Sequence, residues 1–213
     1  MSLNAPQREA VLYTNGPLLV LAGAGSGKTR VITEKIAHLI ATGQREARHI
    51  AAITFTNKSA KEMKERVAKR VRGDAAEGLT ISTFHALGLR FLQQEAARAG
   101  LKRGFSVFDS DDQMGIVKDL MPPGTKNDVL ERLRGLVSRA KNEAMTPEQA
   151  MAIAKSAVER EAAALYAKYQ QRLAAFNAVD FDDLIRLPVT LLEADPDFAA
   201  GWRERIRYLL VDE

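Results

Sequence analysis

The sequence contains no cysteine and one tryptophan, and aromatic residues make up only 6% of its 213 positions. Without cysteine the chain can form neither disulfides nor thiolate metal sites. No stretch approaches the roughly 20 consecutive apolar residues of a membrane span, and the first ten residues lack the apolar segment of a signal peptide. We therefore expect a soluble protein of the cytoplasm.

Hydrophobic residues make up 46% of the chain, enough for the core of one domain or of a domain with an insertion. The net charge is only +4, but the segment from Arg48 to Arg72 contains eight basic residues and only two acidic ones. This segment permits an anionic partner, although an ordinary solvated helix face has the same composition.

Four apolar segments separated by helical patterns predict a parallel α/β sheet. A capping pattern of Asn4 and Gln7 predicts a short helix to about Tyr13. Further helices are predicted after the glycine-rich loop and from Lys58 to Val71. The predicted strands are Leu18–Leu21, Ile50–Phe55, Leu79–Ser82 and Arg207–Val211.

The middle of the chain, residues 86–177, has helical patterns and no convincing strand. The simplest organisation is a sheet domain in two parts, 1–85 and 178–213, with an inserted helical subdomain at 86–177. A separate helical domain followed by a stray strand is the less economical alternative.

One loop matches the Walker A pattern of phosphate-binding loops, apart from alanine at its first position. Its glycines let successive N–H groups face a phosphate, and the following helix directs its positive end at the same anion. Lys28 would bind the β- and γ-phosphates of ATP, and the Thr29 hydroxyl would bind Mg²⁺. The loop consists of Ala22, Gly23, Ala24, Gly25, Ser26, Gly27, Lys28 and Thr29.

The segment Leu209–Glu213 fits a Walker B strand. Such a strand delivers acidic residues to the sheet edge where ligands bind in open α/β folds. Asp212 would hold Mg²⁺, and Glu213 would act as the general base toward the attacking water. The alternative interpretation is that Asp212 and Glu213 are simply an exposed acidic pair.

Six segments of the sequence together resemble the motifs of UvrD/Rep/PcrA-type superfamily 1 DNA helicases. They are NAPQREAV from Asn4, AGAGSGKTR from Ala22, ITFTNKSAKEM from Ile53, ISTFHALG from Ile81, DFDDLI from Asp180 and LVDE from Leu210. The resemblance covers essentially the whole chain. It implies a P-loop NTPase fold of the RecA-like type and an ATP-dependent 3′-to-5′ helicase.

The resemblance also implies roles for residues outside the phosphate loop. Gln7 would read the adenine edge of ATP, although a role as a helix cap is equally consistent with its position. Arg30 would approach the nucleotide. Single-stranded DNA would be bound by Phe55, Thr56, Asn57, Arg66, Phe84 and His85.

The alternatives for these residues are structural. Phe55 and Phe84 would by themselves be assigned to the core, and His85 to a hydrogen bond within the fold. Asp180, Asp182 and Asp183 form an acidic cluster that resembles a metal site. A cap on the following helix explains this cluster better.

In the family that the sequence resembles, motif II continues with a Gln-Asp pair, and a second RecA-like domain follows. We therefore expect this chain to be the N-terminal part of a longer protein, with that domain and replication or repair proteins as partners. Two other hypotheses are a binding module without catalysis and another class of P-loop protein, such as a small-molecule kinase. The motif that begins at Ile53 and the absence of a substrate-lid pattern disfavour the kinase.

Overall fold

The computed structural model describes residues 3–71 and 73–212. Glu213, the predicted general base, lies outside these residues. The chain divides into two compact units, one formed by residues up to Leu87 and from Asp197 onward, the other by Gly88–Pro196. Across the described ranges, no helix combines the length and apolarity needed to cross a membrane.

The elements are numbered in chain order. The strands are β1 (Ile50–Thr54), β2 (Thr80–Thr83), β3 (Ser106–Phe108), β4 (Ala178–Asp180) and β5 (Tyr208–Val211). The helices are α1 (Ala5–Leu12), α2 (Lys28–Ala41), α3 (Asn57–Arg70), α4 (Phe84–Gln94), α5 (Ser110–Leu120), α6 (Asn127–Asn142), α7 (Pro147–Ile153), α8 (Ala157–Ala175), α9 (Asp183–Ala194) and α10 (Pro196–Arg205).

The first unit contains a parallel sheet in the order β2-β1-β5. All five residues of β1 are buried, as expected for a central parallel strand covered on both faces. Its core unites apolar residues of α2 and α3 with those of the sheet, among them Ile36, Met63, Val67 and Leu210. Three of the four predicted strands are thus confirmed to within two residues, and so is their parallel arrangement.

The fourth predicted strand, Leu18–Leu21, is wrong for the described part of the chain. No strand is present there, and Leu19 and Leu21 are 81% and 86% exposed. A buried strand needs neighbours that bind its backbone and layers that cover both faces. The described residues supply no strand pairing at this segment, so its apolar composition alone does not bury it.

The second unit is mainly helical, but it contains a strand that was not expected. β3 pairs in parallel with β4 over three residues. The prediction that residues 86–177 contain no strand is therefore wrong. A three-residue strand is too short to show a periodicity, and its partner is distant in the sequence.

The boundaries between the two compact units lie after Leu87 and after Pro196, whereas the predicted domain boundaries lie after residues 85 and 177. The second difference arises because β4 pairs with β3 and α9 packs against α6 and β4, so these elements group with the helices. Assignment of the units to functional domains stays a prediction.

A buried lysine organises the core of the helical unit. Lys141 of α6 is 1% exposed, and its Nζ lies 2.8 and 2.7 Å from the two carboxylate oxygens of Asp180. The same ammonium is 2.9 Å from Asp183 Oδ2, and the Tyr169 hydroxyl donates to Asp180 at 2.9 Å. Burial, and then the charge of Asp183, raise the pKa of Asp180, while Lys141 opposes the rise. The network joins α6, α8, β4 and α9.

Gly88 lies where α4 meets the backbone of α9. A Cβ at this position would lie 1.8 Å from the carbonyl oxygen of Leu184, so only glycine permits this approach. We predict that Gly88→Ala lowers the free energy of unfolding by about 2–4 kcal/mol, because backbone would have to move. Urea denaturation of the chain measures the change.

Gly135→Ala is the matched control, since Gly135 is inside α6 and a Cβ there meets nothing within 4 Å. This substitution should raise stability by about 0.5–1 kcal/mol through helix propensity. Equal effects of the two substitutions would contradict the close approach at Gly88.

Candidate functional site

The predicted phosphate loop is an exposed turn that leads into α2. Gly25 and Gly27 have φ angles of 74° and 88°, in the left-handed region that glycine adopts without steric cost. Gly27 is the N-cap of α2, so the free N–H groups of the first helical turn lie beside the loop. A glycine loop followed by a helix terminus is an arrangement that binds phosphate. The strand that precedes the loop in strand–loop–helix sites is absent here, since Leu18–Leu21, within the described residues, forms no strand.

The side chain of Lys28 folds over this loop. Its Nζ donates to the carbonyl oxygens of Ala22 and Gly23, at 2.9 and 3.1 Å. The ammonium is thereby held at the loop, and a phosphate would compete with the two carbonyls for it. A phosphate oxygen carries negative charge and would attract the ammonium more strongly than a neutral carbonyl oxygen does.

Thr29 and Asp212 meet although 183 residues separate them in the chain. The Thr29 hydroxyl donates to Asp212 Oδ2 at 2.9 Å. Asp212 follows β5, is buried, and is fixed by its own N–H, which donates to Ile53 O of β1 at 2.9 Å. A hydroxyl and a carboxylate oxygen side by side are the pair of protein ligands that suits Mg²⁺ in a nucleotide complex.

Gln7 contacts the phosphate loop and also caps α1. Its Oε1 accepts from the Asn4 N–H at 3.1 Å, and Asn4 Oδ1 accepts from the Gln7 N–H at 2.9 Å, which confirms the predicted capping box. The Gln7 Nε2 donates to Ser26 O at 2.9 Å. One side chain therefore joins the start of α1 to the loop. Arg30 lies half-buried in the first turn of α2.

A buried lysine that the sequence did not single out lies two turns further along α2. Lys35 is 4% exposed, and its Nζ donates to Ala10 O at 2.9 Å and to Tyr13 O. Burial lowers the pKa of Lys35 from its usual value. The sequence signal that could have identified Lys35 is a lysine at a core-facing position of an amphipathic helix.

Two aromatic rings from different segments meet at the surface of the first unit. Phe55 follows β1 and is 61% exposed, Phe84 begins α4 and is half-buried, and their ring centroids are 5.2 Å apart. This separation is typical of aromatic pairs. Assignment of Phe55 to the core is therefore wrong, because the side chain remains open to solvent.

The polar residues predicted beside these rings are also exposed. Thr56 is the N-cap of α3, where its hydroxyl accepts from the Ser59 N–H at 3.0 Å. Asn57 begins α3, and His85 is in the first turn of α4. Arg66 lies on the exposed face of α3, 3.7 Å from Glu62.

The acidic cluster serves the fold. Asp180 Oδ1 accepts from the Asp183 N–H at 2.9 Å at the start of α9. The N-cap position itself is Asp182, whose side chain makes no capping bond. Asp180 and Asp183 also share Lys141, and Asp182 accepts from Asn142 Nδ2 at 3.2 Å. Among the residues with described positions, no group of three His, Cys, Asp or Glu side chains is arranged to hold a metal ion.

Comparison with known proteins agrees with the geometry of the first unit. A family model for the UvrD/REP helicase N-terminal domain matches residues 3–213. The chain belongs to this family. It is 50% identical, over its whole length, to the protein named ATP-dependent DNA helicase Rep of Escherichia coli K12, and covers 32% of that relative.

Two further relatives also carry helicase names. The Rep helicase of Buchnera aphidicola is 43% identical over the whole chain, which covers 33% of it. The helicase PcrA of Staphylococcus aureus Mu50 is 41% identical over 99% of the chain, which covers 29% of it. The chain thus spans about a third of the length of the curated relatives that it matches. The P-loop NTPase fold class agrees with this membership.

Proposed function

We propose that this chain is the N-terminal, ATP-binding part of a DNA helicase that uses ATP to move along single-stranded DNA. The observation that carries the proposal is the 2.9 Å contact between Thr29 and Asp212, beside a lysine held over a glycine-rich loop. Two motifs from opposite ends of the sequence form one polar site. Membership of the UvrD/REP family supports a helicase rather than another user of ATP.

The nucleotide would be held by the residues of this site. Lys28 and the loop residues Ala22 to Gly27 would bind the β- and γ-phosphates, with Arg30 nearby. Gln7 would read the adenine edge, for which a side-chain amide can both donate and accept. Thr29 and Asp212 would hold Mg²⁺, which supplies positive charge to the reacting phosphates. Glu213 would accept a proton from the attacking water.

Single-stranded DNA would be bound at the exposed aromatic pair. Phe55 and Phe84 would stack on bases or sugars of any sequence, which suits a translocase. Thr56, Asn57 and His85 would contact the strand beside the rings, and Arg66 would attract its phosphates. Family resemblance further implies movement in the 3′-to-5′ direction.

The chain by itself should be nearly inactive as an ATPase. Hydrolysis of this kind depends on charges that surround the transferred phosphate. The chain spans about a third of its helicase relatives, and a second RecA-like domain would supply the remaining groups. Replication or repair proteins are the partners that we propose for the longer protein.

The test is ATP turnover by the full-length protein with and without single-stranded DNA. We expect DNA to stimulate turnover, and Phe55→Ala to lower the DNA affinity by about 5-fold to 150-fold, the value of one base–aromatic stack. Turnover at saturating DNA should change little. The 213-residue chain, assayed in parallel, should show negligible turnover.

Phe176→Ala is the matched control, because Phe176 is an exposed phenylalanine of the helical unit outside the proposed track. It should leave DNA affinity unchanged. A full-length protein without DNA-stimulated turnover would exclude the helicase, and turnover by the 213-residue chain at the full-length rate would exclude the need for a second domain.

A further inference from the structure

The ammonium of Lys35 joins three parts of the nucleotide-binding unit. It extends from α2, donates to Ala10 O and Tyr13 O at the end of α1, and lies 5.8 Å from the ring centre of Tyr208, the first residue of β5. It is buried and takes no part in the proposed phosphate or DNA chemistry. Its presence in the core therefore needs a separate explanation.

A buried charge is costly, so this lysine must do something that an apolar side chain cannot. The last carbonyl groups of a helix lack partners within the helix and carry partial negative charge. Ala10 O and Tyr13 O are carbonyls of this kind, at the last turn and C-cap of α1. Lys35 satisfies both with one ammonium and thereby holds the C-terminal end of α1 against α2.

The other half of α1 carries Gln7, which donates to Ser26 O of the phosphate loop. This helix has only eight residues, about two turns, and an isolated helix of that length is not stable in water. Its orientation therefore depends on its attachments. Lys35 holds one end and the Gln7 contact lies near the other, so a release at Lys35 would loosen Gln7.

We propose that Lys35 is a positioning residue for Gln7, and that it sets the preference for adenine over other bases by fixing α1 relative to the phosphate loop. This inference rests on the proposed role of Gln7 in base recognition. Lys35 itself touches no nucleotide. Its effect reaches the base only through α1.

The experiment compares ATP and GTP as substrates of the full-length protein at saturating single-stranded DNA. We expect Lys35→Met to reduce the ATP-to-GTP ratio of kcat/KM by about tenfold, the value of one lost hydrogen bond. The loss should be in KM for ATP, with kcat nearly unchanged. Lys35→Arg, which keeps a buried cation and its donors, should retain most of the preference.

A double variant separates positioning from general stability. In a Gln7→Ala background, Lys35→Met should cause almost no further loss of the preference for ATP over GTP. The effects of substituting residues that act through one another are not additive. If Lys35 had only a structural role, Lys35→Met would also lower kcat, because Lys35 lies beside β5, the strand that precedes Asp212. Additive losses, or a lower kcat with KM unchanged, would overturn the inference.

Lys118→Met, at an exposed lysine of α5, is the matched control and should change neither ratio nor kcat. If circular dichroism shows that Lys35→Met is unfolded, Lys35→Gln is measured with the same expected loss. Absence of ATP turnover in the unsubstituted protein overturns the proposed function and this inference together. A preference that Gln7→Ala removes and Lys35→Met leaves intact overturns the inference alone.

Discussion

Lys28→Ala should lower the DNA-stimulated ATP turnover of the full-length protein by roughly 100-fold to 1,000-fold, the effect of removing one charge-stabilising group from a phosphoryl-transfer site. The ammonium of Lys28 already lies at the phosphate loop, bound to Ala22 O and Gly23 O. It needs only to exchange these carbonyls for phosphate oxygens. No other lysine side chain belongs to the predicted loop.

The same substitution should weaken ATP binding to the 213-residue chain, which equilibrium titration with a fluorescent ATP analogue measures. Lys118→Ala, at an exposed lysine of the helical unit, is the control for loss of one positive charge and should bind as before. Full turnover in Lys28→Ala would contradict the assignment of the loop. Equal loss in both variants would indicate a general effect of charge.

Lys141→Met should lower the free energy of unfolding by about 3–5 kcal/mol, because it leaves Asp180 and Asp183 buried without their shared cation. Arg186 remains beside Asp183 at 3.0 Å, and the Tyr169 hydroxyl remains on Asp180. Asp180 thus loses its only described ion-pair partner. Urea denaturation, followed by circular dichroism, measures the change.

Two further variants test the cause of this loss. Lys168→Met, at an exposed lysine of α8, should change stability by less than about 0.5 kcal/mol. Adding Asp180→Asn to Lys141→Met should restore part of the stability, because it removes the unpaired charge. If the double variant were as unstable as the sum of both single variants, the ion pair would not be the cause.

Several local features were predictable because their causes lie within a few residues. The capping box of Asn4 and Gln7 depends on a spacing of three residues, and it is present. The central strand at Ile50 was recognisable because parallel strands buried on both faces are continuously apolar. The predicted phosphate loop also has a local pattern, since its three glycines and Lys28 lie within six consecutive residues.

Other features depend on partners that are distant in the chain. Leu18–Leu21 has the composition of a buried strand but no pairing strand among the described residues, and it is exposed. β3 is too short to show a periodicity, and its partner β4 is distant in the sequence. Phe55 was ambiguous between core and surface, since the same aromatic ring suits both.

The sequence by itself determined the α/β fold class and membership of a helicase family, because alternating strand and helix patterns and several characteristic motifs are visible in the residues alone. Only the tertiary structure decided what the buried charges do. Lys141 and Asp180 are 39 residues apart, and Lys35 and Ala10 are 25 apart. Whether a lysine in the middle of a helix is solvated, paired with a carboxylate or bound to the end of another helix depends on which elements pack against it, and packing is settled only when the chain folds.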